Sequence, residues 1–167
     1  MSSVILIGMP GAGKSTLGVM LAKSLAKDFI DTDVLIQTRS GQLLQDIVDN
    51  QGYLTLRILE EQVLLDLNVS NTVIATGGSA VYSKPAMEYL KTLGAIVYLD
   101  VSFENIQKRV NNFSTRGLAC APGQNLQEIY EERTSLYKSS AEFIVDANIG
   151  SPEDVLNRLE KALSKNR

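Results

Sequence analysis

The feature that most constrains this chain is a glycine-rich segment close to its N-terminus. Residues 8–15 read GMPGAGKS and complete the pattern G-x-x-x-x-G-K-[ST]. A short apolar run at 4–7 (VILI) precedes this segment, and residues 15–26 follow it with apolar side chains at helical spacing. The glycines let successive N–H groups face one point at a helix N-terminus, Lys14 adds a full charge, and Ser15 offers a hydroxyl to Mg²⁺. The segment therefore predicts a strand, loop and helix that bind the phosphates of a nucleoside triphosphate.

Length and composition favour one domain spanning residues 1–167, since 44% hydrophobic residues suffice for a real core. The net charge of −3 argues against a general nucleic-acid surface, which needs clustered Lys and Arg. The lone Cys120 cannot form an internal disulfide, which suits a reducing cytosol, and the chain holds no histidine to activate this thiol. The N-terminal apolar run is too short for a signal peptide, and no run approaches the length of a membrane span. We therefore expect a cytoplasmic monomer with no nucleic-acid or membrane partner.

The alternation of apolar runs and amphipathic segments predicts the fold class. Strands are expected at 4–7, 72–75, 95–99 and 143–145, with a weaker strand at 29–32. Helices are expected at 15–26, 43–68, 84–93, 103–110, 126–139 and 152–164. This order predicts an α/β, three-layer α/β/α fold with a five-stranded parallel sheet and a ligand site at the carboxyl ends of the strands. Residues 111–125 have little periodicity and are expected to form a lid segment.

Two carboxylates follow the weak strand at positions i and i+2. If the extended conformation persists, strand alternation places Asp31 and Asp33 on the same side of the sheet. We expect Asp31 to face Mg²⁺ and Asp33 to orient an acceptor hydroxyl and accept its proton. The alternative for Asp33 is a helix cap, a position that aspartate favours.

Three arginines and a pair of glycines add candidates for the site. Arg57, Arg116 and Arg133 carry the planar fork that matches phosphates and carboxylates, and a transferred phosphoryl group needs such cations around it. The alternative for each is a solvated surface position. Gly77 and Gly78 follow a predicted strand, where they let the backbone approach a ligand and point N–H groups at it, unless they only form a tight turn.

Taken together, these segments resemble the shikimate kinase family over essentially the whole chain. The matching segments are GMPGAGKST (8–16), DTD (31–33), the stretch from Arg57 to Glu60, ATGGSA (75–80), TRGLA (115–119) and ERTSLY (132–137). The resemblance implies a P-loop kinase fold of the nucleoside-monophosphate-kinase type, with a substrate-binding helical segment at about 33–60. It also implies transfer of the γ-phosphoryl group of ATP to the 3-hydroxyl of shikimate, a step in aromatic amino-acid biosynthesis, with Mg²⁺ as cofactor.

The resemblance implies site residues as well. The implied nucleotide contacts are Gly11, Ala12, Gly13, Lys14, Ser15, Thr16, Arg109, Arg116 and Pro152, and the implied metal ligands are Ser15 and Asp31. The implied substrate contacts are Asp33, Arg57, Glu60, Gly77, Gly78, Ser79 and Arg133. Catalysis would rest on Lys14, Asp33 and Arg116, with Arg116 moving onto the phosphates with the lid. Arg109 and the segment around Pro152 would flank the adenine.

The chain departs from the family pattern at four positions. Ser79 replaces a third glycine, Gly117 replaces a proline of the lid, and Tyr53 and Leu56 replace an acidic and an aromatic residue. If position 79 requires a positive φ, serine costs about 1 kcal/mol there. Two alternatives therefore stay open: a kinase of another small hydroxylated acid such as gluconate, and a nucleotide-binding regulatory protein without catalysis.

Overall fold

A parallel sheet of five strands carries the fold in the computed structural model, which describes residues 2–110 and 117–165. The strands are β1 Ser3–Ile7, β2 Asp28–Asp31, β3 Thr72–Ala75, β4 Gly94–Asp100 and β5 Phe143–Asp146. The helices are α1 Lys14–Leu25, α2 Thr32–Ser40, α3 Leu44–Gln51, α4 Tyr53–Leu65, α5 Lys84–Leu93, α6 Phe103–Arg109, α7 Leu126–Ser140 and α8 Pro152–Ser164. A 3-10 turn spans Ala80–Tyr82 between β3 and α5.

The strand order is β2-β3-β1-β4-β5, and every pairing is parallel. In the central strand β1, Ile5 is in register with Ile74 of β3 and Ile96 of β4. Every residue of β1 is buried, and because successive side chains point to opposite faces, helices must cover the sheet on both sides. The predicted fold class, a three-layer α/β fold with five parallel strands, is confirmed.

The predicted strand at 29–32 ends one residue early, at Asp31. The Asp31 side chain accepts hydrogen bonds from the N–H groups of Asp33 and Val34 and caps α2, a helix that the hydrophobic pattern did not predict. The extended conformation therefore does not persist to position 33, and the condition under which strand alternation would place Asp31 and Asp33 on the same side is not met. Asp31 is the helix cap, and Asp33 lies in the first helical turn.

The predicted helix at 43–68 is two helices. The chain breaks at Gly52, whose φ of 87° and ψ of 161° fall in a region that is essentially restricted to glycine. The apolar periodicity continues across this break, which explains why the sequence predicted one helix. The break lets α3 and α4 pack against each other and against α2.

Helices α2, α3 and α4 enclose a small second core beside the main one. Its buried members are Ile36, Ile47, Leu56, Val63 and Ala119, so the described segment between Gly117 and α7 also contributes to it. This cluster anchors the segment that the resemblance assigns to substrate binding, and it holds that segment next to the carboxyl ends of β1, β2 and β3.

Candidate active site

A cleft of about 360 Å³ opens at the carboxyl ends of the strands, between the phosphate loop and helices α2 and α4. The predicted site residues that line it are Gly11, Gly13, Lys14, Ser15, Thr16, Asp33, Glu60, Gly77, Gly78, Ser79, Arg109 and Arg133. Leucine and isoleucine side chains at positions 36, 44 and 56 add apolar walls. The cleft therefore joins most of the residues that the sequence selected from separate parts of the chain.

The phosphate loop has the backbone that its glycines predict. Gly11 and Gly13 have φ values of 83° and 95°, in the left-handed region that glycine adopts without a steric penalty. Lys14 donates to the carbonyl oxygens of Gly8 and Met9 at 2.7 and 2.8 Å, so its ammonium group is held against the loop. Gly13 is the N-cap of α1, which directs the positive end of the helix dipole into the cleft.

The hydroxyl group of Ser15 and the carboxylate of Asp31 lie in contact beside this loop. Ser15 Oγ donates to Asp31 Oδ2 at 2.5 Å, while Asp31 Oδ1 accepts from the N–H of Asp33 at 3.0 Å. These oxygen ligands suit Mg²⁺, which is usually bound by one or two side chains together with phosphate and water. Within residues 2–110 and 117–165, no cluster of three or more Asp, Glu, His or Cys forms a separate metal cage. The residues present therefore fit a Mg²⁺ ion that arrives with a nucleotide.

Gly77 lies where two carboxyl groups approach the backbone. A β-carbon added at Gly77 would overlap Glu60 Oε1 and lie 2.9 Å from Asp33 Oδ1. The N–H of Gly77 donates to the hydroxyl Oγ1 of Thr32, the first residue of α2, at 3.2 Å. This N–H is therefore already hydrogen-bonded within the protein and does not point at a ligand. The glycine is needed here mainly because it leaves room for the two carboxyl groups.

Ser79 adopts an ordinary backbone conformation, with φ at −94°. The cost foreseen for a positive φ at this position therefore does not arise. The buried Ser79 hydroxyl instead donates a hydrogen bond to Glu60 Oε2. Burial, together with the nearby Asp33 carboxylate, raises the pKa of Glu60 to about 7, although Ser79, Arg133 and Lys14 act in the opposite direction.

Arg133 is a buried cation at the wall of the cleft. Its side chain, in a residue only 1% exposed, donates to the Ala119 carbonyl at 3.1 Å and to the Tyr82 hydroxyl at 3.3 Å. A β-carbon at Gly78 would lie 2.9 Å from Arg133 Nη1, so this glycine is needed for a close approach of the arginine. Arg133 therefore offers a rigid guanidinium group to an anionic ligand.

Arg57 lies beside the cleft and not among the residues that line it. Its Nε and Nη2 atoms donate to the Ala119 carbonyl at 3.2 and 3.1 Å, and its guanidinium group lies 3.8 Å from the centre of the Tyr82 ring. Tyr53, one of the departures from the family pattern, contributes a second ring at 5.1 Å. Sequence reasoning missed Tyr82, which belongs to none of the motifs, and the Ala119 carbonyl, which ends the TRGLA segment (115–119) but is a backbone group that no side-chain pattern marks.

The other predicted nucleotide contacts have different locations. Arg109 lines the cleft and donates to the carbonyl oxygens of Gly11 and Ala147, so it connects the phosphate loop to the segment after β5. Ala12 is buried in the loop itself. Pro152 is the exposed first residue of α8 and is not among the cleft-lining residues, and Arg116 lies outside the described residues.

The described part of the predicted lid begins at Gly117 and rests on α3. Gly117 has a φ of 65°, and its N–H donates to Gln45 Oε1 at 2.5 Å. A β-carbon at this position would lie 2.6 Å from the backbone nitrogen of Gln45. Residues 111–116 of the lid lie outside the described residues. The lid function of the segment stays a prediction.

Comparison with known proteins identifies the family. Residues 10–164 match the family described as shikimate kinase. The chain belongs to the shikimate kinase family. It is 39% identical to the shikimate kinase of Paracidovorax citrulli over 153 residues, which cover 89% of this chain and 84% of that protein. It is 32% identical to shikimate kinase 2 of Enterobacter sp. strain 638, with coverage of 96% and 94%.

Solved structures of the family agree with this assignment. The shikimate kinase of Acinetobacter baumannii, solved in complex with shikimate, superposes with a TM-score of 0.91 at 30% identity, covering 100% of this chain and 95% of that one. The enzyme of Aquifex aeolicus superposes with a TM-score of 0.85 at 33% identity, with coverage of 98% and 97%. The predicted family and its kinase class are confirmed. No helix of the described residues combines the length and the apolar character that a bilayer crossing requires.

Proposed function

We propose that this protein transfers the γ-phosphoryl group of ATP to the 3-hydroxyl of shikimate. The observation that carries the proposal is the single cleft that places the phosphate loop, Asp33 and Arg133 around one space, in a chain of the shikimate kinase family. The relative from Acinetobacter baumannii binds shikimate, and it superposes over the whole of this chain.

The phosphate loop would hold the nucleotide. The backbone N–H groups of residues 11–16 and the Lys14 ammonium group would surround the phosphates, and Arg109 would lie beside them. Ser15 and Asp31 would hold Mg²⁺, which when bound neutralises charge on the β- and γ-phosphate oxygens. Arg116 and Pro152 are assigned to the nucleotide by the family resemblance alone.

Asp33 would hold the acceptor hydroxyl and accept its proton. Its position in the first turn of α2, with Gly77 opposite, lets the carboxylate face the cleft directly. Phosphoryl transfer asks the protein mainly for alignment and charge compensation, and alignment alone provides effective molarities of about 10⁵ M or more. Asp33 is therefore as important for orientation as for proton transfer.

The arginines would bind the acceptor carboxylate. Arg57 and Arg133 both donate to one oxygen, the Ala119 carbonyl, so two guanidinium groups already converge on a single acceptor atom. A ligand carboxylate offers two such oxygens with a full negative charge and forms stronger hydrogen bonds than a neutral carbonyl. We infer that the acceptor carboxylate takes over hydrogen bonds that the Ala119 carbonyl accepts in this structure.

The test is a coupled assay of ADP release from purified protein with MgATP, with and without millimolar shikimate. We expect turnover that depends on shikimate, at about 1 s⁻¹ or faster, and slow ATP hydrolysis in its absence because the closed site excludes water. A parallel assay with gluconate addresses the alternative acceptor. Brisk ATP hydrolysis without any acceptor, or silence with shikimate while the nucleotide still binds, would contradict the proposal.

A further inference from the structure

The side chain of Tyr82 contacts both of the arginines that the proposed function assigns to the acceptor carboxylate. Tyr82 ends the 3-10 turn after β3 and lies two residues beyond the ATGGSA segment, so none of the matching segments contains it. The guanidinium carbon of Arg57 lies 3.8 Å from the centre of the Tyr82 ring, and that of Arg133 lies 5.3 Å from the same point. Both distances are within the range of a cation–π contact, about 6 Å. One aromatic ring therefore contacts two cations.

The hydroxyl group of Tyr82 is held by hydrogen bonds on both sides. It accepts a hydrogen bond from Arg133 Nε at 3.3 Å and donates one to Glu132 Oε1 at 2.5 Å. Glu132 Oε2 in turn accepts a hydrogen bond from Gln124 Nε2 at 3.2 Å. Burial, together with the hydrogen bond to Glu132, raises the pKa of Tyr82, so the phenol keeps its proton at neutral pH. Because this proton is donated to Glu132, the Tyr82 oxygen presents a lone pair to Arg133.

The two guanidinium groups repel each other, because they converge on a single oxygen atom. Arg57 and Arg133 donate to the Ala119 carbonyl at N–O distances of 3.1 to 3.2 Å. Arg133 is only 1% exposed, so water screens little of this repulsion. Within residues 2–110 and 117–165, neither guanidinium group forms a salt bridge with a carboxylate. The face of an aromatic ring carries partial negative charge, so the Tyr82 ring offsets part of the repulsion.

We propose that Tyr82 is the positioning residue of the acceptor carboxylate site, because it holds Arg57 and Arg133 with both guanidinium groups directed at one point before the acceptor binds. The inference rests on the proposed function and deepens it, since it explains how two like charges are kept ready for one carboxylate. Such preorganisation lowers the cost of binding. Tyr82 is not among the cleft-lining residues, so it acts on the acceptor through the two arginines. Its effect is therefore confined to the carboxylate of the acceptor.

The experiment compares Tyr82→Phe and Tyr82→Leu with the wild type in steady-state assays. We expect Tyr82→Leu, which removes the ring, to raise the KM for shikimate about tenfold. Tyr82→Phe restores the ring without the hydroxyl, and its KM should rise only about threefold. The kcat and the KM for MgATP stay unchanged, because the phosphate loop and Asp33 are not altered. The same two changes at Tyr89 are the matched controls and behave as the wild type, since Tyr89 is also half-buried and donates to a backbone carbonyl outside the cleft.

The decisive measurement uses the carboxamide of shikimate, in which a neutral group replaces the carboxylate. The wild type has a higher KM for this analogue, and we expect Tyr82→Leu to add little to it, because the charge that the arginines bind is already absent. A merely structural role of Tyr82 would raise the KM for both acceptors by the same factor. If Tyr82→Leu does not fold, Tyr82→Met also removes the ring and has a longer side chain.

Two results would overturn the inference alone. They are equal penalties on shikimate and on the carboxamide, and an unchanged KM for shikimate in the variants without the ring, in either case with normal turnover by the wild type. A wild type that shows no turnover with shikimate would instead overturn the proposed function and the inference together.

Discussion

At the scale of single residues, Asp33 is the group on which turnover depends most. We expect Asp33→Asn to lower kcat by about 10²–10⁴-fold, because the amide cannot accept the proton and holds the hydroxyl less firmly. The affinity for MgATP, measured by equilibrium titration, stays unchanged because the phosphate loop is intact. Asp28→Asn is the control, since Asp28 is the exposed first residue of β2, the strand that precedes α2, and lies at the opposite end of that strand from the cleft. Near-normal turnover in Asp33→Asn would remove Asp33 from the mechanism.

A substitution at Gly77 tests whether the site requires space for the carboxyl groups of Asp33 and Glu60 at this position. Its φ lies outside the left-handed region, so alanine meets no backbone strain, but its methyl group overlaps Glu60 Oε1. We expect Gly77→Ala to lower the free energy of unfolding by about 1–3 kcal/mol through overpacking, as measured by urea denaturation. The loss should shrink in a Glu60→Ala background, where the methyl group has room. Additive losses in the double variant would show that the overlap is not the cause.

Some residues of the site could be predicted from the sequence, and others could not. Lys14, Ser15, Asp31 and Asp33 could be predicted because each is part of a local pattern, a glycine-rich loop or a pair of carboxylates after a strand. The bond between Ser79 and Glu60 joins residues 19 positions apart and depends on how α4 packs against the turn after β3. No local pattern contains that information.

At the scale of secondary structure elements, Gly52 decides where one helix ends and the next begins. No atom lies within 4 Å of a β-carbon added at Gly52, so any cost of a substitution there comes from the backbone conformation. We expect Gly52→Ala to lower the free energy of unfolding by about 1–3 kcal/mol. Asn50→Ala, an exposed change two residues earlier in α3, should stay within about 0.5 kcal/mol. If Gly52→Ala is equally harmless, the break between α3 and α4 does not require glycine.

The same glycine shows why element boundaries were harder to predict than the elements themselves. Apolar residues continue at helical spacing on both sides of Gly52, and periodicity alone therefore predicts one helix over 43–68. By contrast, the predicted helix at 152–164 has the bounds of α8, because Ser151 and Asp154 form a capping box and Pro152 occupies the first helical position. Capping residues locate the end of a helix, which the hydrophobic pattern alone does not.

At the scale of the whole molecule, the order of the strands explains how distant residues share one cleft. The phosphate loop follows β1, Asp31 ends β2 with Asp33 just after it, and Gly77 follows β3; these three strands are neighbours in the sheet. Because parallel strands end at the same edge, their following loops meet there. Arg133 also lines the cleft, but it belongs to α7, so the strand order alone does not predict its position.

Glu60 also gives the stability of the whole protein a dependence on pH. Its pKa is raised from 4.5 to about 7 in the folded state, so the native protein retains a proton that the unfolded chain has already released. Stability from this group is therefore complete below about pH 4.5 and is lost as the pH rises through 7. The loss has an upper limit of about 3 kcal/mol, since one pKa unit corresponds to 1.36 kcal/mol.

Urea denaturation of the ligand-free protein at pH 5 and pH 8 measures this effect. We expect the wild type to be less stable at pH 8, and Glu60→Gln to show a much smaller difference because glutamine does not titrate. Glu61→Gln, with its carboxamide outside the cleft, should keep the wild-type difference. The pKa of Asp146 and of Asp154 is lowered by hydrogen bonds from Asn148 and Ser151, so those groups act only in a more acidic range. Equal wild-type stability at the two pH values would mean that Glu60 is already ionised in the folded protein at pH 5. Burial and the neighbouring Asp33 carboxylate would then not raise the pKa of Glu60.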